Sequence, residues 1–196
     1  GCVPSKALIS AARRAAAVRE GAEFGVAAAD VKIDFGATMQ RMRRLRAGIS
    51  ENDSAQRFAG LGVDVFLGEA GFVDDETVRV DGIDLKFHRA VIATGARVDY
   101  LTNETVFSLT ELPRRLGVIG AGPIGCEMAQ TFARLGSEVV LMEALHGILP
   151  REDEDASALV LERMKKDGVT LLCCTKEMKI APADNGAVRV TVESHG

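Results

Sequence analysis

Apolar positions recur along this chain with two different periods, and the places where the period changes mark out the predicted elements. Leu116, Val118 and Ile119 form a short apolar run that leads straight into Gly120-Ala121-Gly122-Pro123-Ile124-Gly125. Ile124, Met128, Phe132 and Leu135 then follow at helical spacing. Glu138–Glu143 (EVVLME) reads as the next strand. Arg151–Gly168 reads as a helix, with Glu152, Asp153, Glu154 and Asp155 at its start, Lys165 and Lys166 at its end and Gly168 as its stop. Val169–Cys173 is predicted as a buried parallel strand, which makes the Cys173-Cys174 pair part of the core. Lys176–Ala181 and Ala187–Glu193 are expected to form a hairpin around Asn185-Gly186.

The earlier half reads differently. Pro4 opens a helix that Ala, Leu and Arg continue. Asp34–Gly62 reads as one long helix with Met39, Met42, Leu45 and Ile49 on one face, and with Arg41, Arg43, Arg44 and Arg46 largely off it. From Val63 the pattern changes to strands: Val63–Leu67, Thr77–Val80 and Leu85–Ala93, the last two joined by an Asp81-Gly82 turn. Strands alternating with helices around a parallel sheet make this an α/β protein. Thr110–Arg114, with Pro113 and two arginines ahead of the Leu116 run, is the expected domain boundary.

Composition narrows the function. With 196 residues, 47% of them hydrophobic, the chain has enough apolar surface for a sizeable core in one or two domains. A net charge of −4 gives no reason to expect nucleic acid or an anionic membrane as partner. The arginine cluster does not change this, because Glu51 and Asp53 follow it. No apolar run reaches the roughly 18 residues of a spanning helix, and the first residues lack a signal-peptide layout. Four cysteines without framework spacing point to a reducing, cytoplasmic compartment.

The Gly120–Gly125 stretch carries chemistry. In a strand–turn–helix context Gly120 makes the tight turn, Gly122 lets a pyrophosphate approach the backbone, and Gly125 lets the helix pack close to the strand. The N-terminus of the helix faces the phosphates with free N–H groups and partial positive charge. Glu143 closes the second strand 23 positions after Gly120, close to the offset of the acid that accepts from a ribose 2′-OH. Glycine-rich turns of this form also occur in ordinary α/β proteins, and it is the combination of strand, helix and terminal acid that argues for a dinucleotide. A carboxylate there favours NAD over NADP. Arg151 is the counter-indication, since an arginine can cover a 2′-phosphate. At the other end of the sequence Cys2 directly precedes the first helix, and helix N-terminus and Lys6 together favour the nucleophilic thiolate. A cysteine placed there by chance is the alternative.

GCVPSK resembles the second half of the C-x4-C…PSK redox-disulfide motif of the FAD-containing pyridine nucleotide–disulfide oxidoreductases, in the form most common among mercuric reductases and next among dihydrolipoamide dehydrogenases. The resemblance implies that Cys2 is the flavin-proximal sulfur of a redox disulfide whose partner cysteine would precede Gly1. It implies that Lys6 pairs with Glu127 near the flavin and the nicotinamide. It also implies that Gly68-Glu69-Ala70 and Ala93-Thr94-Gly95 close on the FAD adenosine side, through Ala70, Thr94 and Gly95. Cofactor contacts fall to these residues and to Gly120, Gly122, Ile124, Gly125 and Glu143.

On this likeness the chain is an internal piece, with a partial FAD-binding domain over 1–109 and an NAD(P)-binding domain over 110–196. The segment after Ala96-Arg97 is shorter than in the family. The implied activity is electron transfer from NAD(P)H through FAD to a disulfide, with Hg(II) or a dithiol as substrate, no resident metal, and a homodimeric parent. The chain on its own is expected not to turn over. The alternative from another class is a nucleotide-binding sensor domain without redox chemistry.

Overall fold

In the first helix the apolar residues recur every three or four positions, so one stripe of α1 (Cys2–Glu20) is buried: Pro4, Ala7, Leu8, Ala12 and Ala16. The computed structural model describes residues 2–28, 30–92, 100–102, 105–183 and 187–194. Its contacts divide it into two units, residues 1–45 with 103–196, and residues 46–102.

The larger unit is built on a parallel sheet in the order β4-β5-β6, where β4 is Arg115–Ile119, β5 Glu138–Met142 and β6 Val169–Leu172. Helix α4 (Pro123–Leu135) crosses from β4 to β5, and α5 (Glu154–Lys166) crosses from β5 to β6. The stripe of α1 lies against α4. Leu8, Met39, Phe132, Leu141 and Met164 fill the resulting core and are almost fully buried, and the Phe35 and Phe132 rings stand 6.2 Å apart. An antiparallel pair, β7 (Thr175–Pro182) with β8 (Val188–Ser194), follows β6; the Asn185-Gly186 turn expected between them lies outside the described residues.

Two glycines make the β4–α4 turn possible. Gly120 sits at φ +94°, a conformation L side chains rarely adopt, and a Cβ on Gly125 would stand 1.8 Å from the carbonyl oxygen of Gly120. Gly136, at φ +113°, ends α4 with its N–H donated to the carbonyls of Phe132 and Ala133.

The helices are tied together at their C-terminal ends. Asp167, just past α5, pairs with Arg134 at 2.8 Å and with Arg163 at 3.0 Å, and it accepts from Gln130 Nε2 at 2.8 Å. Arg163 also pairs with Glu20 at the end of α1, and Arg19 donates to the Arg134 carbonyl at 2.7 Å. Burial pushes the Asp167 carboxyl up, but the hydrogen bonds from Arg134, Arg163 and Gln130 outweigh it and hold the group below its ordinary value.

In the smaller unit β1 (Ala70–Asp74), β2 (Thr77–Val80) and β3 (Ile83–Lys86) form an antiparallel meander. Asp81 and Gly82 take φ of 44° and 86°, both positive, as a two-residue turn requires. Across β2 and β3 the Arg79 guanidinium grips Asp84 with two hydrogen bonds, at 2.5 and 2.8 Å.

Three expectations are corrected. Asp34–Gly62 is not one helix: α2 spans Phe35–Gly48, α3 spans Ala55–Gly60, and turns lie between them. In that gap Ser50 Oγ donates to the Ala47 carbonyl at 2.7 Å and Ser54 Oγ to the Glu51 carbonyl at 2.9 Å, and Ser54 starts α3 by accepting from the Arg57 N–H at 3.1 Å. Val63–Leu67 is exposed and unpaired by any ladder among the described residues, so it stays irregular despite its alternation. Ile124, grouped by spacing with the buried face of α4, is 62% exposed.

Two outcomes follow for stability. Gly125→Ala should lower it by about 1–3 kcal/mol or more, because the obstructing atom is backbone and not the end of a flexible side chain. Urea denaturation measures the loss. A carboxyl depressed in the folded state stabilises above its unfolded value, here 3.8, and that contribution is lost as pH falls through the lower folded value. Asp167→Asn should therefore cost about 3–5 kcal/mol at neutral pH, where Arg134 is left buried without its counter-charge. The variant should also show a flatter loss of stability below about pH 4 than the parent, read from urea midpoints over that range.

Candidate functional site

The C-terminal ends of the three parallel strands converge on Glu143, the first residue past β5. Its Oε2 accepts from the Ala121 N–H at 2.7 Å, within the glycine turn, and its Oε1 accepts from the Leu145 N–H at 2.9 Å. Those backbone donors, Leu145 first and Ala121 second, hold the carboxyl below its usual range against a smaller effect of burial, so it stays ionised at neutral pH. A carboxylate offers about four acceptor positions, and the hydrogen bonds from Leu145 and Ala121, with a lesser one from the Ala144 N–H, leave part of that capacity open. The backbone of Glu143 extends the ladder: its N–H donates to Leu172 O at 2.9 Å, and its carbonyl accepts from Thr175 N at 3.0 Å.

The turn itself is anchored by the Gly120 N–H on Met142 O and the Leu149 N–H on Ala121 O, both at 2.8 Å. No side chain caps α4, whose N-cap is Gly122. The N–H groups of Ile124 and Gly125 in its first turn have no intrahelical acceptor, as an anion site requires. A tight turn, an uncapped helix start and a partly unused carboxylate together fit a dinucleotide. Cys126, one residue past Gly125, is a packing group. It is buried, its Sγ donates to Ala121 O at 3.3 Å, and burial, with Glu143 nearby, pushes the thiol up to about 11.

The second part of the site joins α1 to α4. Cys2 is exposed in the first turn of α1, and its carbonyl accepts from Ser5 Oγ at 3.0 Å. One turn on, Lys6 Nζ pairs with Glu127 Oε1, so the resemblance-implied partners meet. Their side chains are 61% and 39% exposed. An ion pair this exposed adds little stability.

Ala70 is exposed at the start of β1 in the smaller unit, and Thr94 and Gly95 lie outside the described residues. Arg151 is exposed in the turn ahead of α5. Cys173 and Cys174 are not core. They are partly exposed just past β6, and His146, which the sequence reading did not single out, stands beside them. The available signal was positional: His146 lies in the loop after β5 and the cysteines directly follow β6, and loops at the same end of neighbouring parallel strands lie side by side. No helix among the described residues is long and apolar enough to cross a membrane.

Comparison with known proteins identifies the family and the fold. Dihydrolipoyl dehydrogenase of Geobacillus stearothermophilus is 33% identical over 214 residues, which cover all of this chain and 44% of that protein. Mercuric reductase of Lysinibacillus sphaericus is 32% identical over 183 residues, 88% of this chain and 34% of that protein. Among solved structures, a HOCl-induced flavoprotein disulfide reductase from Escherichia coli superposes with a TM-score of 0.68 at 27% identity, covering all of this chain and 43% of its own. The chain thus spans less than half the length of these relatives. A family model described as pyridine nucleotide-disulphide oxidoreductase, for FAD-dependent enzymes that use NAD(P)H, matches residues 1–196. The chain belongs to the pyridine nucleotide-disulphide oxidoreductase family.

Proposed function

We propose that the protein containing this chain passes electrons from NAD(P)H through FAD to a redox disulfide that includes Cys2. Residues 1–109 would contribute to the FAD-binding domain, and residues 110–196 would form the nicotinamide-nucleotide domain. The observation that carries this reading is the Lys6–Glu127 ion pair, which links the helix bearing the exposed cysteine to the helix bearing the dinucleotide turn. A pair worth at most about 1 kcal/mol to the fold is better explained by the charges it places between two cofactor-binding elements. The parent is read as a cytoplasmic homodimer.

The chain's own residues have distinct tasks in this scheme. The Gly120–Gly125 turn and the start of α4 would bind the pyrophosphate, and the unused acceptor positions of Glu143 would take the adenosine ribose hydroxyls. When bound, FAD would supply the two-electron chemistry between nicotinamide and disulfide. Cys2, at an exposed helix start, is accessible once the disulfide is reduced, and Lys6 and Glu127 would set the charge around it. Hg(II) is the first acceptor of choice, on the form of Cys2-Val3-Pro4-Ser5-Lys6. A lipoamide-type dithiol is second, supported by the equal similarity to dihydrolipoyl dehydrogenases.

Cys2→Ser in the full-length protein should abolish NAD(P)H-dependent reduction of both Hg(II) and lipoamide while NADH binding persists. Steady-state assays with each acceptor test this. Unimpaired turnover in the variant, or wild-type protein that binds NADH and reduces neither acceptor, would overturn the reading. On cofactor choice, NADH should bind more tightly than NADPH, because a 2′-phosphate would stand against an ionised carboxylate, a repulsion of about 4 kcal/mol at 4 Å before screening. Glu143→Ala should weaken NADH about tenfold or more and improve NADPH in relative terms. Glu143→Gln, which keeps an oxygen for the backbone donors, separates loss of charge from loosening of the turn. Fluorescence titration with both nucleotides gives the ratio, and an unchanged ratio would remove Glu143 from the ribose.

A further inference from the structure

The loops after β5 and β6 are stitched together by backbone hydrogen bonds: Thr175 N–H to Glu143 O at 3.0 Å and Cys174 N–H to Leu145 O at 3.1 Å. This pairing sets His146 beside the two cysteines, with His146 Nδ1 3.5 Å from Cys174 Sγ. In an extended strand, neighbouring side chains point to opposite faces, so adjacent cysteines there could not serve one ligand. Cys174 instead takes φ 56°, in the left-handed region that is unfavourable for a residue with a Cβ. One ligand atom from each of His146, Cys173 and Cys174 then lies within 4.8 Å of the others. The group is open to solvent, with His146 exposed and both cysteines partly so. The three side chains include none of the residues assigned above to dinucleotide, flavin or disulfide.

The spacing suits a metal as well as the hydrogen-bond contact that the pair makes here. A tetrahedral zinc holding sulfur at about 2.3 Å and imidazole nitrogen at about 2.0–2.1 Å sets those two ligands about 3.5 Å apart. Two thiols and one imidazole form a donor set for thiophilic ions and a poor one for magnesium or calcium.

We propose that Cys173, Cys174 and His146 form a binding site for a thiophilic metal ion, with Zn(II) as its test case, on the nucleotide-binding half of the chain. Two metal–sulfur bonds form as the two thiols release their protons, and neutral imidazole supplies Nδ1. Water takes the fourth position, so the ion stays exchangeable. No electrons move.

The test uses full-length protein carrying Cys2→Ser, which removes the exposed thiol elsewhere in this chain, stripped of metal and kept reduced under argon. Co(II) is the spectroscopic probe. The expected result is one equivalent bound with a thiolate-to-cobalt charge-transfer band and the intense visible absorption of tetrahedral cobalt, both erased by Zn(II). Adding Cys173→Ser or Cys174→Ser should weaken binding about 100-fold or more, beyond what losing a mere supporting group costs, and His146→Ala should weaken it about tenfold or more. NADH affinity should be unchanged in all three, showing that the fold is intact. Equal cobalt uptake by the variants, a weak octahedral spectrum, no uptake by reduced protein, or a Cys173–Cys174 disulfide that reductant does not open would each overturn the proposal.

Discussion

A parallel sheet ends in backbone groups that the strands themselves do not satisfy, and here one acidic residue gathers them. Glu143 takes the Ala121 N–H from the turn after β4 and the Leu145 N–H from its own loop on its carboxylate, while its backbone meets Leu172 at the end of β6 and Thr175 at the start of β7. Charge-assisted bonds of this kind are about twice as strong as neutral ones, so the carboxylate aligns the glycine turn with the two loops that flank it. The proposed dinucleotide site depends on that alignment, because both the open start of α4 and the spare acceptor positions of Glu143 are products of it. The His146 loop depends on it too, since Leu145 donates its N–H to Glu143 and accepts from Cys174.

The packing of α1 on α4 is governed by a separate economy of charge. At one end of this contact Lys6 and Glu127 are well exposed and contribute little to folding; at the other, Glu20, Arg19, Arg134, Arg163 and Asp167 form a partly buried network in which Arg134 and Asp167 are only 12% and 6% exposed. Stability is concentrated at the closed end, which leaves the open end free to carry charges for chemistry. Exposed Cys2 belongs to that open end, and buried Cys126, held on Ala121 O and pushed up to about 11, belongs to the packing.

Sequence by itself determined the features whose physics is local. A glycine needed for positive φ, a helix that follows it, a Pro at the first helical position and a carboxylate at the end of the next strand are set by near neighbours, so Gly120–Gly125, α4 and Glu143 were legible, as was the Asp81-Gly82 turn. Tertiary structure decided what depends on partners distant in the chain. Apolar alternation did not make Val63–Leu67 a strand, because no ladder among the described residues satisfies its backbone. Helical spacing did not bury Ile124, because the face a helix buries is chosen by what packs on it. Cys173-Cys174 read as core from an apolar run, yet the strand ends at Leu172 and a left-handed residue turns both sulfurs toward His146. That last meeting joins residues of two crossover-separated loops. It exists only because parallel strands present their C-terminal ends side by side, a long-range register that no window of sequence contains.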